Sequence, residues 1–194
     1  MPNWCNNTIT IKGSTETVKQ LWDDAVENNG LLSAIAPLPK ILENTTSPAP
    51  KDLDPELQQK MIKETGFDNW YDWQVANWGT KWDIDVEGLE FTDHGDGTST
   101  IAGWFDSAWS PPIEAYQTLC DSMDGIYLEA FYDEPGMCFV GCWDSEGGDD
   151  YYEYTECTSK TVRDTIPEYL VDHFELDQRM AEWEDEEEVE HDNA

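Results

Sequence analysis

Between Trp82 and Ser159 the chain runs for 78 residues without one Lys or Arg while carrying 19 Asp and Glu. A fold made from such a stretch repels itself and gives up stability for its field. The acidity is not confined to the end of the chain. Residues 175–194 hold ten acids and Arg179, whereas residues 1–174 hold 33 acids against nine Lys and Arg, in a total formal charge of −33. Nucleic acid, anionic membrane and phosphate-rich ligands are therefore excluded as direct partners, because binding them takes clusters of Lys and Arg that release counterions. Cationic surfaces fit. Three plainer explanations of the charge stand beside that one: adaptation to high salt, solubility alone, and the acidic drift of some proteomes.

The body is expected to fold. A chain of 194 residues suits one domain, and 39% hydrophobic residues with ten Trp, eight Tyr and six Phe can build a core despite the charge. The opening Met1-Pro2-Asn3-Trp4 has no basic region followed by an apolar run, and no stretch approaches about 18 apolar residues. These features predict neither a secretory signal nor a membrane span, hence a cytoplasmic place. The five cysteines are an odd count at irregular spacing. Cys138 and Cys142 read as one face of a strand, roughly 13 Å apart, too far to pair or to share a tetrahedral metal. Reduced, packed thiols are expected.

Alternation and caps set out the elements. Thr8 to Lys12 alternates and stops at Gly13, a strand. Val18, Leu21, Trp22 and Ala25 follow at helical spacing after Ser14 and Thr15, with Gly30 as the expected stop. Residues 31–80 interrupt the rhythm with prolines, a helix over Glu56–Glu64 and a ring-rich helix over Asn69–Trp78. Trp82 to Glu87 has strict period two, which predicts a strand with Trp82, Ile84 and Val86 on one side and Asp83, Asp85 and Glu87 on the other. After a bulge at Gly88, Glu90 joins the acidic side. Thr98 to Phe105 returns as the second arm of a hairpin. Ser110 and Pro111 are expected to open a helix over 111–123. Strands over 126–132, 137–143 and 150–154 come next, and Thr165 with Glu168 has the spacing of a capping box for a last helix. The acidic run Glu184 to Glu188 is expected to fray.

That order predicts an α+β fold of the ferredoxin-like, split βαβ type: an antiparallel sheet with two helices on one face, an aromatic helical insertion at about 31–80 and a C-terminal hairpin–helix extension. Residues 1–174 form the single acidic domain, and 175–194 the acidic helix end and tail. The opening Met1-Pro2-Asn3-Trp4-Cys5-Asn6-Asn7, the central Trp78-Gly79-Thr80-Lys81-Trp82-Asp83 and the step Trp109-Ser110-Pro111-Pro112 resemble the YubB-type ferredoxin-like proteins of bacteriophages and plasmids. The likeness runs from Met1 to about Trp143. It implies a ferredoxin-like fold and a mobile-element origin, and it brings no activity and no catalytic residue.

Motifs for chemistry are weak. Asp83-x-Asp85-x-Glu87 resembles half of a calcium loop, but position twelve is His94 where a bidentate Glu is needed. His94, His173 and His191 fall in no nucleophile, zinc or phosphate-loop pattern. No metal, cofactor or catalytic residue is assigned. Trp22, Trp82 and Trp104 read as core, while Trp4, Trp70, Trp73, Trp78 and Trp109 fall near element ends or in the insertion, where packing outweighs recognition of a sugar.

The functional expectation is a non-enzymatic phage or plasmid protein that binds a cationic host protein through Asp83, Asp85, Glu87 and Glu90. In its sharpest form it is a nucleic-acid mimic inhibiting a nucleic-acid-handling or defence protein, since Arg and Lys placed for phosphates also accept fixed carboxylates. The alternatives are an enzyme or small-ligand protein with a cleft between the aromatic insertion and the sheet, and an accessory protein whose charge serves solubility.

Overall fold

The computed structural model describes residues 2–192; Met1 and residues 193–194, the end of the expected tail, lie outside them. Six strands form one antiparallel sheet: β1 (Trp4–Ser14), β2 (Leu89–Asp93), β3 (Thr98–Ala108), β4 (Tyr127–Glu134), β5 (Phe139–Asp144) and β6 (Gly148–Glu153), in the order β2-β3-β1-β4-β5-β6. Helix α1 (Thr15–Asn28) follows β1, and α2 (Leu31–Ile35), a 3-10 turn (Lys40–Leu42), α3 (Pro55–Thr65) and α4 (Trp70–Trp78) form the insertion before β2. Helix α5 (Ile113–Ser122) joins β3 to β4, and α6 (Val162–Thr165), α7 (Glu168–Phe174) and α8 (Leu176–Asp192) end the described chain.

Period two along the central strand decides which face is which. Ile9 and Ile11 of β1, Ile101 and Phe105 of β3, and Leu128 and Ala130 of β4 point to a first face, where they meet Val18, Leu21 and Ala25 of α1 and Ala115, Tyr116 and Leu119 of α5. The insertion extends this layer. Leu31, Leu32, Met61, Trp73 and Trp78 share the cluster, and the Trp78 indole donates to the Ala36 carbonyl at 2.8 Å. Trp78 is 1% exposed, so the insertion is held by a ring and not only laid against the sheet.

The second face of the sheet is half covered. Val140 on β5 and Tyr154 just after β6 pack with Val162, Ile166, Leu170, Val171, Leu176 and Met180, a second core under α6–α8. His173 sets the limit of that cover. Its Nε2 lies 2.9 Å from Thr8 Oγ1 on β1, and its ring stacks on Phe131 of β4 at 4.4 Å. The packed body therefore continues past residue 174, the expected boundary of the domain, because Leu176 and Met180 belong to this core.

One buried charge fixes α8. Asp133 is fully buried, takes a bidentate pair from Arg179 at 2.6 and 3.0 Å, and accepts from the Tyr154 hydroxyl at 2.8 Å. The stretch from Trp82 to Ser159 has no cation, so the partner of this carboxylate arrives from outside it. Further along, Glu184 accepts from the Ser159 amide and hydroxyl at 2.8 and 2.7 Å, and α8 runs on to Asp192. The run from Glu184 thus begins inside an anchored helix.

Several local expectations are corrected by the backbone. Asn29, in the left-handed region, closes α1, while Gly30 is extended and sits so close to Asp83 that an added Cβ would lie 2.2 Å from Oδ2. Helix α5 starts at Ile113 after Pro112, and Ser110 instead donates its hydroxyl to the Gly79 carbonyl at 2.6 Å. Thr165 and Glu168 form no capping box, because Thr165 ends α6 and Pro167 separates it from α7.

Candidate binding cleft

The strand expected over Trp82–Glu87 does not form; β2 begins at Leu89. Its alternation has another cause. The Asp83 carboxylate turns inward and accepts from the Leu32 amide at 2.8 Å, from the Ser33 amide at 3.2 Å and from the Ser33 hydroxyl, while the Ile84 carbonyl accepts from the Leu31 amide at 2.8 Å. These bonds meet the unpaired N–H groups that begin α2. Asp85 closes a local turn by accepting from the Glu87 amide at 2.9 Å. Asp83 and Asp85 therefore do not form a regular row with Glu87, and the phosphate-like spacing that a strand would impose is lost.

This loop faces the exposed end of β3 across a cleft of about 470 Å³, lined by Trp4, Trp82, Trp104, Asp85, Glu87 and Asp106 among others. Asp83 and Gly88 also line it. Glu90, the fourth expected site residue, is exposed on the open face of β2, paired with Ala102, and is not part of the lining. The open half of the second face thus brings Asp85, Glu87 and Asp106 to one place and leaves Asp83 as a helix cap.

Two of the three rings expected in the core, Trp82 and Trp104, are exposed, while Trp22 packs on the core and the packing expected of Trp73 and Trp78 is found. Trp104 is 64% exposed, Trp4 46% and Trp82 39%, whereas Trp73 and Trp78 of the insertion are buried. Trp4 and Trp82 lie 5.9 Å apart. Lys81 stands over Trp82 at 4.3 Å and over Trp109 at 5.2 Å, and Tyr71 meets Trp109 edge-on at 6.5 Å. The ring faces here are already used for a cation by the chain itself. Trp104 was legible as a second-face residue from the parity of β3, because Ile101 and Phe105 point to the core; Asp106, the acid missed from sequence, follows from the same parity.

The cleft's electrostatics are one-sided. Partial desolvation raises the Asp106 carboxyl from its ordinary value. The five thiols lie away from the lining: Cys138, Cys142 and Cys157 pack against the second core, and burial first, then Glu129 and other nearby acids, push the Cys142 thiol up to about 12. Cys138 precedes β5 with a positive φ, so it belongs to the turn and not to the strand face. Among the described residues, no group of three His, Cys, Asp or Glu converges as a metal site, and no helix is long and apolar enough to cross a membrane.

No family model and no curated protein matches the chain. A solved structure similar to it is the crystal structure of protein api92 from Yersinia pseudotuberculosis, family model DUF1281, at 14% identity and a TM-score of 0.40, covering 79% of this chain and 98% of that one.

Proposed function

We propose that this is a non-enzymatic acidic binding protein whose partner is a cationic protein surface, received at the cleft between the loop Trp82–Gly88 and the end of β3. One observation carries the reading: three exposed Trp rings and the carboxylates of Asp85, Glu87 and Asp106 surround a single cleft, beside which Lys81 is already lodged on aromatic faces. Cationic side chains gain from both groups, by charge and by the ring quadrupole. Asp83 supports the cleft wall from behind, and Glu90 extends the acidic field along β2.

The order β2-β3-β1-β4, with α1 and α5 on one face, supports a ferredoxin-like reading of the first part of the chain, to which β5, β6 and α6–α8 are added. With the resemblance to YubB-type proteins, this favours a phage or plasmid origin and action in the host cytoplasm on a nucleic-acid-handling or defence protein. Inhibition would come from occupying that protein's Arg and Lys. Mimicry of a regular phosphate row is the weaker version, since the acids of the cleft sit on a loop and a strand. The position of the cleft between the end of the insertion and the sheet favours a second reading, a small-ligand protein or enzyme.

Capture from host lysate across a salt series tests the proposal. Wild type should retain a cationic protein that a variant carrying Asp85→Asn, Glu87→Gln and Asp106→Asn releases at lower salt. Equal retention by both would move the interface away from the cleft. If no cationic protein is retained under any condition, the charge serves solubility.

A further inference from the structure

The cleft has a feature that neither charge nor rings explain: one of its walls is an open sheet edge. In an antiparallel pair the backbone groups of successive residues point alternately to the two neighbouring strands. The Trp104 amide donates to the Gly88 carbonyl at 3.0 Å, on the side away from β1. By that alternation the N–H and C=O of Asp106 also point away from β1. Strand β2 pairs with β3 only from Ser99 to Gly103, so the ladder has ended before Asp106 is reached. Thr80 meets the edge again at Ala108, whose carbonyl accepts from its hydroxyl at 2.9 Å. Between Gly88 and Thr80, the described residues give the Asp106 backbone no ladder partner, and this gap opens into the cleft. Open edges are ordinarily paired, covered or blunted, and this one is bordered by exposed rings and carboxylates.

We propose that an extended Lys- or Arg-bearing peptide docks in the cleft as a short added strand, bonded through its backbone to Asp106. Its cationic side chains are set against the ring of Trp104 and the carboxylates of Asp85 and Glu87. The inference rests on the cationic-partner reading and states its mode: main-chain bonds give affinity and alternate side chains give specificity. Charge complementarity selects the occupant. The lining carries carboxylates and π-faces, which suit a basic segment and disfavour an acidic one. An added strand also presents alternate side chains to opposite sides, one toward Trp104 on the open face and one toward the loop that carries Asp85 and Glu87.

The test uses the full chain and three synthetic peptides of alternating Lys and Thr, titrated by Trp fluorescence and calorimetry. One peptide is unmodified, a second is N-methylated on its three central amides, and a third has acetylated lysines. The unmodified peptide should bind, and both modified peptides should bind about tenfold more weakly or worse, since one loses ladder bonds and the other loses charge. Trp104→Ala should weaken the unmodified peptide by a similar factor with its melting curve intact. Equal binding of the N-methylated peptide would overturn strand addition and leave cation recognition standing. Absence of binding by any peptide, with a folded cationic host protein still captured, would overturn the peptide mode alone, and loss of both would remove the reading beneath it. Neutral oligosaccharide binding with no peptide binding would likewise overturn the proposal.

Discussion

Under α6–α8 the second face of the sheet is dry and holds a fully buried carboxylate, Asp133; across β1, β3 and β2 the same face stands open, with Trp104 and Asp106 in solvent. Asp133 and Asp106 both belong to the same cation-free stretch. What separates them is where a positive charge arrives. Arg179 reaches Asp133 from 46 residues away and makes its burial tolerable, whereas Asp106 receives no such partner and stays at the rim of a cleft. Acidity in this chain is thus not one property. At Asp133, where the fold supplies a cation, it becomes structure, and at Asp106, where it does not, it becomes surface.

The largest expected effect lies in the covered half. Arg179→Ala leaves Asp133 charged and unpaired in a buried site, and the expected cost is about 3–5 kcal/mol in chemical denaturation. Asp133→Asn combined with Arg179→Met should recover part of that loss. A loss under about 1 kcal/mol for Arg179→Ala would erase the distinction between the halves, since the burial of Asp133 would then owe little to its partner.

On the open half the effect should move from stability to binding. Trp104→Ala removes a ring that is largely in water, so denaturation midpoints should change little, while affinity for a basic peptide falls about tenfold. A large loss of stability with unchanged affinity would assign Trp104 to the core.

Smaller, and sharper as a contrast, is the difference between two neighbouring acids. Asp83→Ala removes the cap of α2 and should cost about 1 kcal/mol, whereas Asp85→Ala, whose bond closes only an exposed turn, should stay within about 0.5 kcal/mol. A combined change of Asp83, Asp85 and Glu87 therefore confounds folding with binding, and Asp83 should be left intact in any test of the interface. Matching costs for the two single variants, measured by urea titration, would return Asp83 to the exposed surface.

The smallest effect is expected at the end of the described chain. Truncation after Trp183 removes the Glu184 bonds to Ser159 but leaves Leu176, Arg179 and Met180, so the melting temperature should fall slightly and remain cooperative. A fall as large as that of Arg179→Ala would make the acidic run part of the fold's support.

Much of the sheet was legible because alternation and turn residues agree along β1, β3, β4 and β5, and the stripes of α1 and α5 name the face they cover. The loop Trp82–Gly88 was illegible for a physical reason. Period two does not require a strand: here Ile84 and Val86 pack on the first core while Asp83 caps α2 and Asp85 closes an exposed turn, with no strand partner. The cover on the second face was hidden because α6 and α7 are too short to show a full stripe, and their packing is decided by residues far away in sequence. One clue was present. Arg179 stands alone among ten acids in residues 175–194, and a lone cation there has a partner to find. Of the acids named from sequence, Asp85 and Glu87 line the cleft and not a strand face, Glu90 lies beyond it, Asp83 supports it from within, and Asp106 is added by the parity of β3.

The most direct test of the difference between the halves is a residue-resolved amide map, by NMR and hydrogen exchange, of the protein titrated with a short Lys/Arg peptide at two salt concentrations. The Asp106 amide should gain protection and the Trp82 and Trp104 indole signals should shift, with the effect shrinking at higher salt and α6–α8 unchanged. Shifts centred on α6–α8, or protection spread evenly over the acidic surface with Asp106 unaffected, would contradict it.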